Sequence, residues 1–320
     1  MNVSIVVPCY NEAENLQDFQ KELNKIAMQL SVDFEVIFVN DGSKDQTLEI
    51  IKELSEKDNT VNYLSFSRNF GKEAAMLAGL QYAKGDAVII MDADLQHPPR
   101  LIPSMLEKFL EGYDQVIAKR SRKGESKTRS ILSKIYYKVM NHIIEVDLED
   151  GVGDFRLLSR KALSALLSLK EYNRFSKGLF SWIGFKEYII EYENVLRESG
   201  ESKWTFSKLL NYGIDGVISF NNKPLRVSIY MGILITLVSI IYIGVMLFQI
   251  MVNGIDVPGY FTTISAVLIL GGIQLIFLGV VGEYIGRIYY EAKRRPIYII
   301  EEKNVNVEED FNNEYVINNK

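Results

Sequence analysis

Two long runs without a charged residue lie near the C-terminus of the chain, at Ser228–Val252 and Tyr260–Val281. They contain 25 and 22 residues, and about 20 mostly apolar residues are enough to cross a bilayer as a helix. A buried helical hairpin in a soluble domain is the alternative, which these lengths disfavour. The sequence therefore predicts two transmembrane helices, at about 228–252 and 260–282.

The charges around these runs predict their orientation. The turn Asn253–Gly259 contains Asp256 but no lysine or arginine. Basic residues lie outside both runs, at Lys223, Arg226, Arg287, Lys293, Arg294 and Arg295. Because Lys and Arg are enriched in cytoplasmic loops, both chain ends are expected in the cytoplasm. The N-terminus has no basic segment followed by a cleavage site, which argues against a signal peptide.

Composition disfavours several classes of partner and site. The net charge of −5 disfavours a nucleic-acid binder, which usually carries a basic face. Cys9 is the only cysteine, so one chain cannot form a disulfide or a thiolate metal cluster. Since the chain has only two histidines, His97 and His142, a zinc site is not expected either.

Before residue 120, short apolar runs alternate with amphipathic stretches. The runs predict strands at Val3–Val7, Phe34–Val39, Val61–Phe66, Ala87–Met91 and Gln115–Ala118. The stretches between them predict helices near Glu12–Leu30, Asp45–Lys57, Lys72–Ala83 and Arg100–Leu110. Buried strands that alternate with helices are typical of a mainly parallel sheet with helices on both faces, so the predicted fold class is α/β.

Polar residues follow three of these strands, at Pro8–Glu12, Asn40–Ser43 and Asp92–Asp94. Ligands of open α/β sheets bind beyond the carboxyl ends of the strands, so these segments are expected to form a site. Asp92 and Asp94 can both reach a hard cation such as Mg²⁺ or Mn²⁺, which prefers oxygen ligands. The alternative is an ordinary polar turn, in which an Asp-x-Asp sequence is common.

Residues 121–224 show a less regular pattern. A basic segment at Lys119–Arg129 precedes a helix candidate at Ile131–Ile144 and a Gly/Asp turn at Asp150–Asp154. A second helix candidate, Phe206–Phe220, either lies along the membrane surface or packs on the N-terminal domain. We therefore divide the chain into a cytoplasmic domain (1–205), a juxtamembrane helix (206–225), a membrane hairpin (226–290) and a tail (291–320). The Asn- and Glu-rich end, Glu301–Lys320, is expected to be mobile.

The polar segments occur in an order that resembles the signature series of glycosyltransferase family 2. The matching segments are Val7–Glu12, Val39–Asp45, Ser67–Lys72 and Asp92–Pro99. Three later segments, Asp154–Leu157, Arg197–Lys203 and Gly282–Arg287, resemble the polyprenyl-phosphate branch, which includes dolichol-phosphate mannose synthases and bactoprenol glucosyltransferases. The resemblance runs from Val3 to about Pro296 and implies a GT-A-type fold followed by a two-helix hairpin.

The resemblance also implies roles for individual residues. The nucleotide-binding positions match Pro8, Tyr10, Glu12, Asp41, Lys72 and Asp92. The metal and diphosphate positions match Asp92, Asp94 and Gln96, with Mg²⁺ or Mn²⁺ as the implied cofactor and His97 as an alternative ligand. The candidates for binding the acceptor's phosphate are Arg120, Arg122, Arg197, Ser202 and Lys203. For the basic ones, a role as membrane-surface charge is the alternative.

Asp154 matches a position usually assigned as a catalytic base, and Arg120 and Arg122 complete the implied catalytic set. A phosphate monoester has a second pKa of about 6, so the acceptor is largely a dianion at neutral pH and hardly needs deprotonation. We therefore expect the rate to come from alignment and charge stabilisation, with Asp154 orienting an arginine. A structural pairing with Arg156 or Arg120 is the alternative.

The resemblance implies an inverting transfer of a hexose from UDP-glucose or UDP-N-acetylglucosamine to polyprenyl phosphate, which would supply a lipid-linked sugar for cell-envelope glycosylation. A GDP-mannose-dependent mannosyltransferase is an alternative. A processive polysaccharide synthase usually shows a Gln-x-x-Arg-Trp motif, which precedes neither Trp182 nor Trp204. A non-catalytic membrane scaffold leaves the paired carboxylates unexplained. The expected partners are the nucleotide sugar, the lipid phosphate, the membrane and further copies of the chain, for example in a tetramer.

Overall fold

The computed structural model describes residues 1–30, 32–121, 141, 149–193, 223–254 and 259–305. The strands are β1 (Asn2–Cys9), β2 (Asp33–Asn40), β3 (Val61–Phe66), β4 (Ala87–Ile90), β5 (Gln115–Arg120), β6 (Val152–Ser159), β7 (Glu187–Tyr192) and β8 (Ile300–Lys303). The helices are α1 (Leu16–Ala27), α2 (Thr47–Lys57), α3 (Lys72–Tyr82), α4 (Ile102–Leu110), α5 (Arg160–Ser168), α6 (Ser176–Trp182), α7 (Lys223–Asn253) and α8 (Tyr260–Lys293), with a 3-10 turn at Pro99–Leu101.

The described strands form one sheet in the order β7-β5-β6-β4-β1-β2-β3-β8. Its centre is parallel, since β1 pairs in parallel with β2 and β4, and β2 pairs in parallel with β3. Every residue from Val3 to Cys9 is buried, so helices must cover both faces of this part of the sheet. Residues of α3, α5 and α6 build the core on one face, and residues of α1 and α4 build it on the other. The predicted fold class is confirmed.

Strand β6 corrects one prediction. It lies antiparallel between β4 and β5, whereas the sequence predicted a Gly/Asp turn at Asp150–Asp154. The turn covers only Asp150 and Gly151, and the strand begins at Val152, which pairs with Lys119 of β5. Asp154 is therefore a strand residue, and its side chain lies on the same face of β6 as that of Arg156, two residues later.

Helices α7 and α8 contain 31 and 34 residues, and they contact each other. Many of their large apolar side chains are exposed, among them Ile233, Leu237, Ile269 and Leu275. By length and composition, Ile269–Lys293 qualifies as a membrane-spanning helix. Among the described side chains of α7, a shorter apolar stretch runs from Tyr230 to Tyr242. A membrane helix is therefore supported by α8.

Strand β8 corrects the prediction that the whole segment 301–320 is a mobile tail. It pairs antiparallel with β3 and completes the edge of the sheet. The ring of Tyr298 stacks on Phe66 with a centroid distance of 5.0 Å, and its hydroxyl donates to Gln81. Tyr298 and Ile300 are both buried, so burial of these two side chains outweighs the polar composition that follows them. Residues 306–320 lie outside the described residues.

The two helix candidates in the middle of the chain, Ile131–Ile144 and Phe206–Phe220, also lie outside the described residues, apart from Asn141. The proposed domain boundary at 205/206 falls in the same undescribed part. These assignments stay predictions.

Candidate active site

Two loops at the carboxyl edge of the sheet are joined by hydrogen bonds. The Asn11 backbone N–H donates to Ser43 Oγ (3.0 Å), and the Lys44 N–H donates to Asn11 Oδ1 (2.8 Å). The Glu12 N–H donates to Thr47 Oγ1 (2.9 Å). Asn11 has a φ of +54°, a conformation that asparagine tolerates better than most residues. The loops after β1 and β2 are therefore fixed to each other.

The residues predicted to bind the nucleotide lie along these loops. Pro8 is buried in β1, whereas Tyr10 is exposed beside it. The Glu12 side chain accepts a hydrogen bond from Asn15 Nδ2 (2.7 Å). Tyr10 thus presents its ring to solvent at the edge of the sheet, where an aromatic side chain can stack on a base.

Asp41 follows β2 and holds the loop that leads into α3. Its carboxylate accepts the backbone N–H groups of Phe70 (2.6 Å) and Gly71 (3.0 Å), and the side chain is buried. Burial raises the pKa of Asp41, although these two hydrogen bonds lower it. The neighbouring Gly42 has a φ of +61°, and a Cβ there would lie 2.4 Å from the carbonyl carbon of Arg68. The position therefore requires glycine.

The turn after β4 carries the predicted metal ligands. Asp94 Oδ1 accepts the Gln96 backbone N–H (3.1 Å), and His97 Nδ1 accepts the Asp92 N–H (3.0 Å). The His97 ring also stacks on Phe155 of β6, at a centroid distance of 5.0 Å. Because Nδ1 of His97 accepts a backbone hydrogen bond, this histidine stabilises the turn. The candidate metal donors of the turn are the side-chain oxygens of Asp92, Asp94 and Gln96. Within the described residues, no three His, Cys, Asp or Glu side chains are grouped to hold a metal ion.

Lys72 connects two of the predicted residues. Its Nζ atom lies 2.7 Å from Asp92 Oδ1 and 2.7 Å from Asp154 Oδ2. Burial by itself raises the pKa of Asp154, but the positive charges of Lys72, Lys177 and Arg156 hold it well below its usual range. Burial lowers the pKa of Lys72, but Asp154 and Asp92 raise it well above its ordinary value. Both groups are therefore charged at neutral pH.

Arg120 ends β5 near these carboxylates. Burial raises the pKa of the neighbouring Tyr192 phenol, the charge of Arg120 lowers it, and Asp92 and Asp94 raise it. The charges of Arg120, Asp92 and Asp94 therefore all influence the pKa of the same buried hydroxyl group, that of Tyr192. Four other predicted residues, Arg122, Arg197, Ser202 and Lys203, lie outside the described residues.

Glu73 and Lys177 are site residues that the sequence analysis missed. The Ser176 backbone N–H donates to both carboxylate oxygens of Glu73 (3.2 Å each), and the Ser176 hydroxyl donates to one of them. Burial raises the pKa of Glu73 to about 7, although the bonds from Ser176 lower it. Burial also lowers the pKa of Lys177, while Asp154 raises it. No local sequence signal distinguishes these residues from ordinary helix-start charges.

Arg156 makes close contacts with Phe180 and Gly153. Its guanidinium lies over the Phe180 ring, 3.7 Å from the centroid, and Nη2 donates to the Gly153 carbonyl (3.0 Å). Burial lowers the pKa of Arg156 to about 10, although Asp154 raises it. Among the described residues, the close ion pair of Asp154 is thus with a lysine.

Two family profiles match the chain. Glycosyl transferase family 2 matches residues 4–167. The GtrB C-terminal hairpin matches residues 223–288. Together they cover strands β1 to β6 with the helices between them, α7, and most of α8.

Relatives resemble the chain over nearly its whole length. CsbB of Bacillus subtilis (strain 168), which is named as a glycosyltransferase, is 59% identical over 303 residues, covering 95% of this chain and 92% of CsbB. The bactoprenol glucosyl transferase of Shigella phage SfV is 44% identical over 301 residues, covering 94% and 98%. Among solved structures, mannosyl-3-phosphoglycerate synthase from Rubrobacter xylanophilus has a TM-score of 0.47 and 17% identity, covering 68% of this chain and 72% of that one.

Proposed function

The chain belongs to glycosyl transferase family 2, and from that premise we propose that it transfers a hexose from a UDP-sugar to undecaprenyl phosphate. The donor is UDP-glucose or UDP-N-acetylglucosamine, and the reaction takes place at the cytoplasmic face of a bacterial membrane with inversion at the anomeric carbon. The observation that carries the proposal is the cluster of Asp92, Lys72 and Asp154. It joins a candidate metal ligand to two charged groups at the edge of the sheet where ligands bind.

Relatives with a named activity support the acceptor. The phage protein's name describes transfer of glucose to bactoprenol, and the similarity covers the C-terminal helices as well as the sheet. A lipid acceptor also explains why a catalytic domain is joined to an apolar helix with exposed side chains. The product would be a lipid-linked sugar for cell-envelope glycosylation.

The donor set fits a divalent metal. Asp92 and Asp94 offer carboxylate oxygens, Gln96 offers an amide oxygen, and Mg²⁺ or Mn²⁺ prefers such ligands. A two-carboxylate site leaves coordination positions for diphosphate oxygens, which is how Mg²⁺ usually binds nucleotides. When bound, the metal would neutralise charge on the departing diphosphate.

The protein's own residues then supply binding and alignment. A phosphate oxygen of the acceptor attacks the anomeric carbon, the bond to the diphosphate breaks, and the nucleoside diphosphate leaves with its electron pair. Lys72 lies where it can stabilise that leaving group, and Asp154 holds Lys72 in place through their ion pair. Because the acceptor is largely a dianion near pH 7, no protein group has to remove a proton. A single displacement of this kind inverts the anomeric centre.

We place the acceptor's phosphate near Arg120, with Arg122, Arg197, Ser202 and Lys203 as further ligands. The Arg guanidinium matches phosphate oxygens with two parallel hydrogen bonds. Lys203→Ala should raise the Michaelis constant for the lipid roughly ten- to a hundred-fold, because a charge-assisted hydrogen bond contributes about 1.5–3 kcal/mol. The affinity for UDP with Mn²⁺, measured by titration, should not change. An unchanged lipid response would remove the 197–203 segment from the acceptor site.

The membrane topology is part of the proposal. Both α7 and α8 cross the bilayer, and the turn between them faces away from the cytoplasm. A cysteine introduced at Asn253 should react with an impermeant thiol reagent in intact cells. Cys9 is buried and burial raises the pKa of its thiol well above the ordinary value, so it should stay unlabelled, and a Cys9→Ser background controls for it. Labelling only after cell lysis would reverse the orientation.

The main experiment is a donor and acceptor panel. The purified protein in vesicles that contain undecaprenyl phosphate is given UDP-glucose, UDP-N-acetylglucosamine, UDP-galactose or GDP-mannose, each radiolabelled. We expect lipid-soluble label with a UDP-hexose, dependent on Mg²⁺ or Mn²⁺ and on the lipid phosphate. Transfer from GDP-mannose alone would replace the donor assignment, and transfer without the lipid would overturn the acceptor. A separate measurement, the molecular mass of the protein in detergent, tests whether the protein is a homo-oligomer, for example a tetramer.

A further inference from the structure

The segment 172–177 spans the distance between the last membrane helix and the active site. At one end, the Tyr172 ring stacks on Tyr290 of α8, with a centroid distance of 5.7 Å and an interplanar angle of 4°. The Tyr172 backbone N–H donates to Glu291 Oε1 at 2.7 Å. Tyr290 and Glu291 lie in the last turn of α8, so this contact fixes the globular domain to the end of the helix.

At its other end, the segment is tied to the start of α3. Glu73 accepts the Ser176 N–H through both oxygens at 3.2 Å, and it also accepts the Ser176 hydroxyl. Glu73 follows Lys72, and Ser176 precedes Lys177. Asp154 is ion-paired with Lys72, and the positive charges of both Lys72 and Lys177 lower its pKa, although burial raises it. The tie therefore joins two helices whose lysines act on the same carboxylate.

The segment between the two ties is braced internally. Arg174 Nη1 donates to the Leu169 carbonyl at 2.6 Å, which closes the loop that precedes α6. Phe175 and Ser176 are buried, whereas Lys177 keeps part of its surface open to solvent. A braced segment transmits a displacement at Tyr172 to Lys177, because it has little freedom to absorb it.

We propose that Tyr172 and Glu73 are positioning residues that hold segment 172–177 between α8 and the active site, and so place Lys177 to receive the acceptor's phosphate. The inference rests on the proposed function, since it assigns Lys177 to the lipid acceptor. An acceptor anchored in the bilayer carries its phosphate at a fixed depth, so the active site must stay at a fixed position relative to the membrane helix. A partly open cation beside Asp154 suits a phosphate dianion. Burial lowers the pKa of Lys177 and the charge of Asp154 raises it, so a further anion beside the ammonium group would favour its charged form.

The two ties predict different defects. Loss of the Tyr172 stack should change the position of segment 172–177 relative to α8 and the bilayer. This change should affect an acceptor that is anchored in the bilayer and not a short, water-soluble one. Loss of the Glu73 tie should misplace Lys177 itself, which matters for both acceptors. Neither change should alter nucleotide binding, because neither residue is placed against the nucleotide.

The experiment compares undecaprenyl phosphate in vesicles with citronellyl phosphate in solution. Tyr172→Ala should raise the Michaelis constant for undecaprenyl phosphate roughly two- to tenfold, the range expected for one aromatic pair, and leave that for citronellyl phosphate unchanged. Tyr172→Phe, which keeps both the ring and the backbone N–H, should behave as the wild type. Tyr113→Ala is the matched control, because it removes a ring contact with Tyr188 at 5.1 Å outside the segment.

The second arm tests the other tie with the same two acceptors. Glu73→Ala should raise both Michaelis constants about tenfold, since it removes the hydrogen bonds that hold Ser176. Glu73→Gln should recover most of the loss, because its amide oxygen still accepts the Ser176 N–H. The UDP dissociation constant should stay at the wild-type value in every variant.

Three outcomes would overturn the inference. They are an equal effect of Tyr172→Ala on both acceptors, a weakened affinity for UDP, and an equal effect of Tyr113→Ala. If Tyr172→Ala does not fold, Glu291→Ala tests the same contact from the helix side, and a wild-type response there also counts against it. A wild-type protein that transfers sugar to neither lipid phosphate would instead overturn the proposed function, and with it this assignment of Lys177.

Discussion

Lys72 and Asp154 form a 2.7 Å ion pair between the first residue of α3 and the third residue of β6. The same ammonium group lies 2.7 Å from Asp92, so a single lysine links the candidate base to a candidate metal ligand. The sequence had suggested an arginine partner for Asp154. Because the ion pair favours the ionised carboxylate, Asp154 is a weak proton acceptor at neutral pH.

This relationship predicts the pH dependence of an Asp154→Asn variant. The positive charges around Asp154 hold its pKa well below the usual range, although burial raises it. The residue is therefore already ionised throughout the neutral range. We expect the variant to lose activity by the same factor at every pH above about 7, where the acceptor is a dianion. The measurement is kcat/KM from pH 6 to pH 9.

A general base would give a different profile. Activity of Asp154→Asn would then recover as the pH rises well above the acceptor's second pKa, because hydroxide and the dianion replace the missing base. Such a recovery would show that Asp154 accepts a proton in the reaction. Lys72→Met provides a companion measurement, since a role in holding Lys72 predicts a similarly flat defect in both variants.

Substitution of the metal ligands is expected to abolish transfer without unfolding the protein. Asp92 and Asp94 follow β4 at the edge of the sheet, and the Asp92 side chain is 28% exposed, so neither alanine variant should leave a large cavity. Transfer should be lost in Asp92→Ala and Asp94→Ala, and also when the wild type is treated with EDTA. Asp86→Asn is the matched control, because Asp86 precedes the other end of β4 and accepts the Asn2 N–H. Full activity of the chelated wild type would remove the metal from the mechanism.

The first five strands could be predicted from the sequence because each contains a short run rich in apolar residues. In the structure, β3 has the predicted bounds, and β1 is longer by one residue at its start and two at its end. A strand that is buried on both faces can be recognised from its apolar residues, whichever strand it pairs with. The carboxyl-edge rule then places Asp41 and Asp92 at the same edge without any knowledge of the loops.

Strands β6 and β8 could not be predicted from the local sequence. The Gly/Asp composition before Asp154 is typical of a turn, and pairing with β4 and β5 decides that a strand begins at Val152. β8 has four residues, three of them charged, and it pairs with a strand more than 200 residues away. Because β8 is stabilised by pairing with a strand so distant in sequence, its own residues show no local pattern that predicts a strand.

The cluster around Asp154 was only partly predictable for the same reason. Lys72 and Asp154 belong to matched motifs, so their presence at the site was expected, but their contact depends on how α3 meets β6. Glu73 and Ser176 are 103 residues apart. Nothing in the local sequence of either residue indicates the other. Long-range ties of this kind require the fold.

Tyr298 is expected to stabilise the sheet although it follows the long apolar helix α8. Its ring is buried and stacks on Phe66 of β3. Tyr298→Ala should lower the free energy of unfolding by about 3 kcal/mol, as for other buried aromatic truncations. Tyr289→Ala, at a ring that is 55% exposed, is the control and should have little effect. Thermal unfolding in detergent measures both, and equal melting temperatures for the two variants would mean that β8 adds little stability.

The buried carboxyl group of Glu73 should make stability depend on pH. Burial raises its pKa from 4.5 to about 7, bonds from Ser176 lower it, Asp154 raises it and Arg174 lowers it. A raised carboxyl pKa means that the folded state binds the proton more tightly than the unfolded state. Its contribution to stability is therefore complete below about pH 4.5 and is lost as the pH rises through 7.

Glu73→Gln removes this titration and keeps an oxygen that accepts the Ser176 N–H. At pH 8 the variant should be more stable than the wild type by up to about 3 kcal/mol, which is the upper limit when folding raises the carboxyl pKa from 4.5 to about 7. The advantage should shrink as the pH falls towards 5, because the wild-type carboxyl group then becomes neutral in the folded state. Glu53→Gln, at an exposed side chain on α2, should show no such trend. Melting temperatures of the three proteins at pH 5, 6, 7 and 8 decide the point, and an advantage of Glu73→Gln that does not change with pH would show that Glu73 stays ionised in the fold.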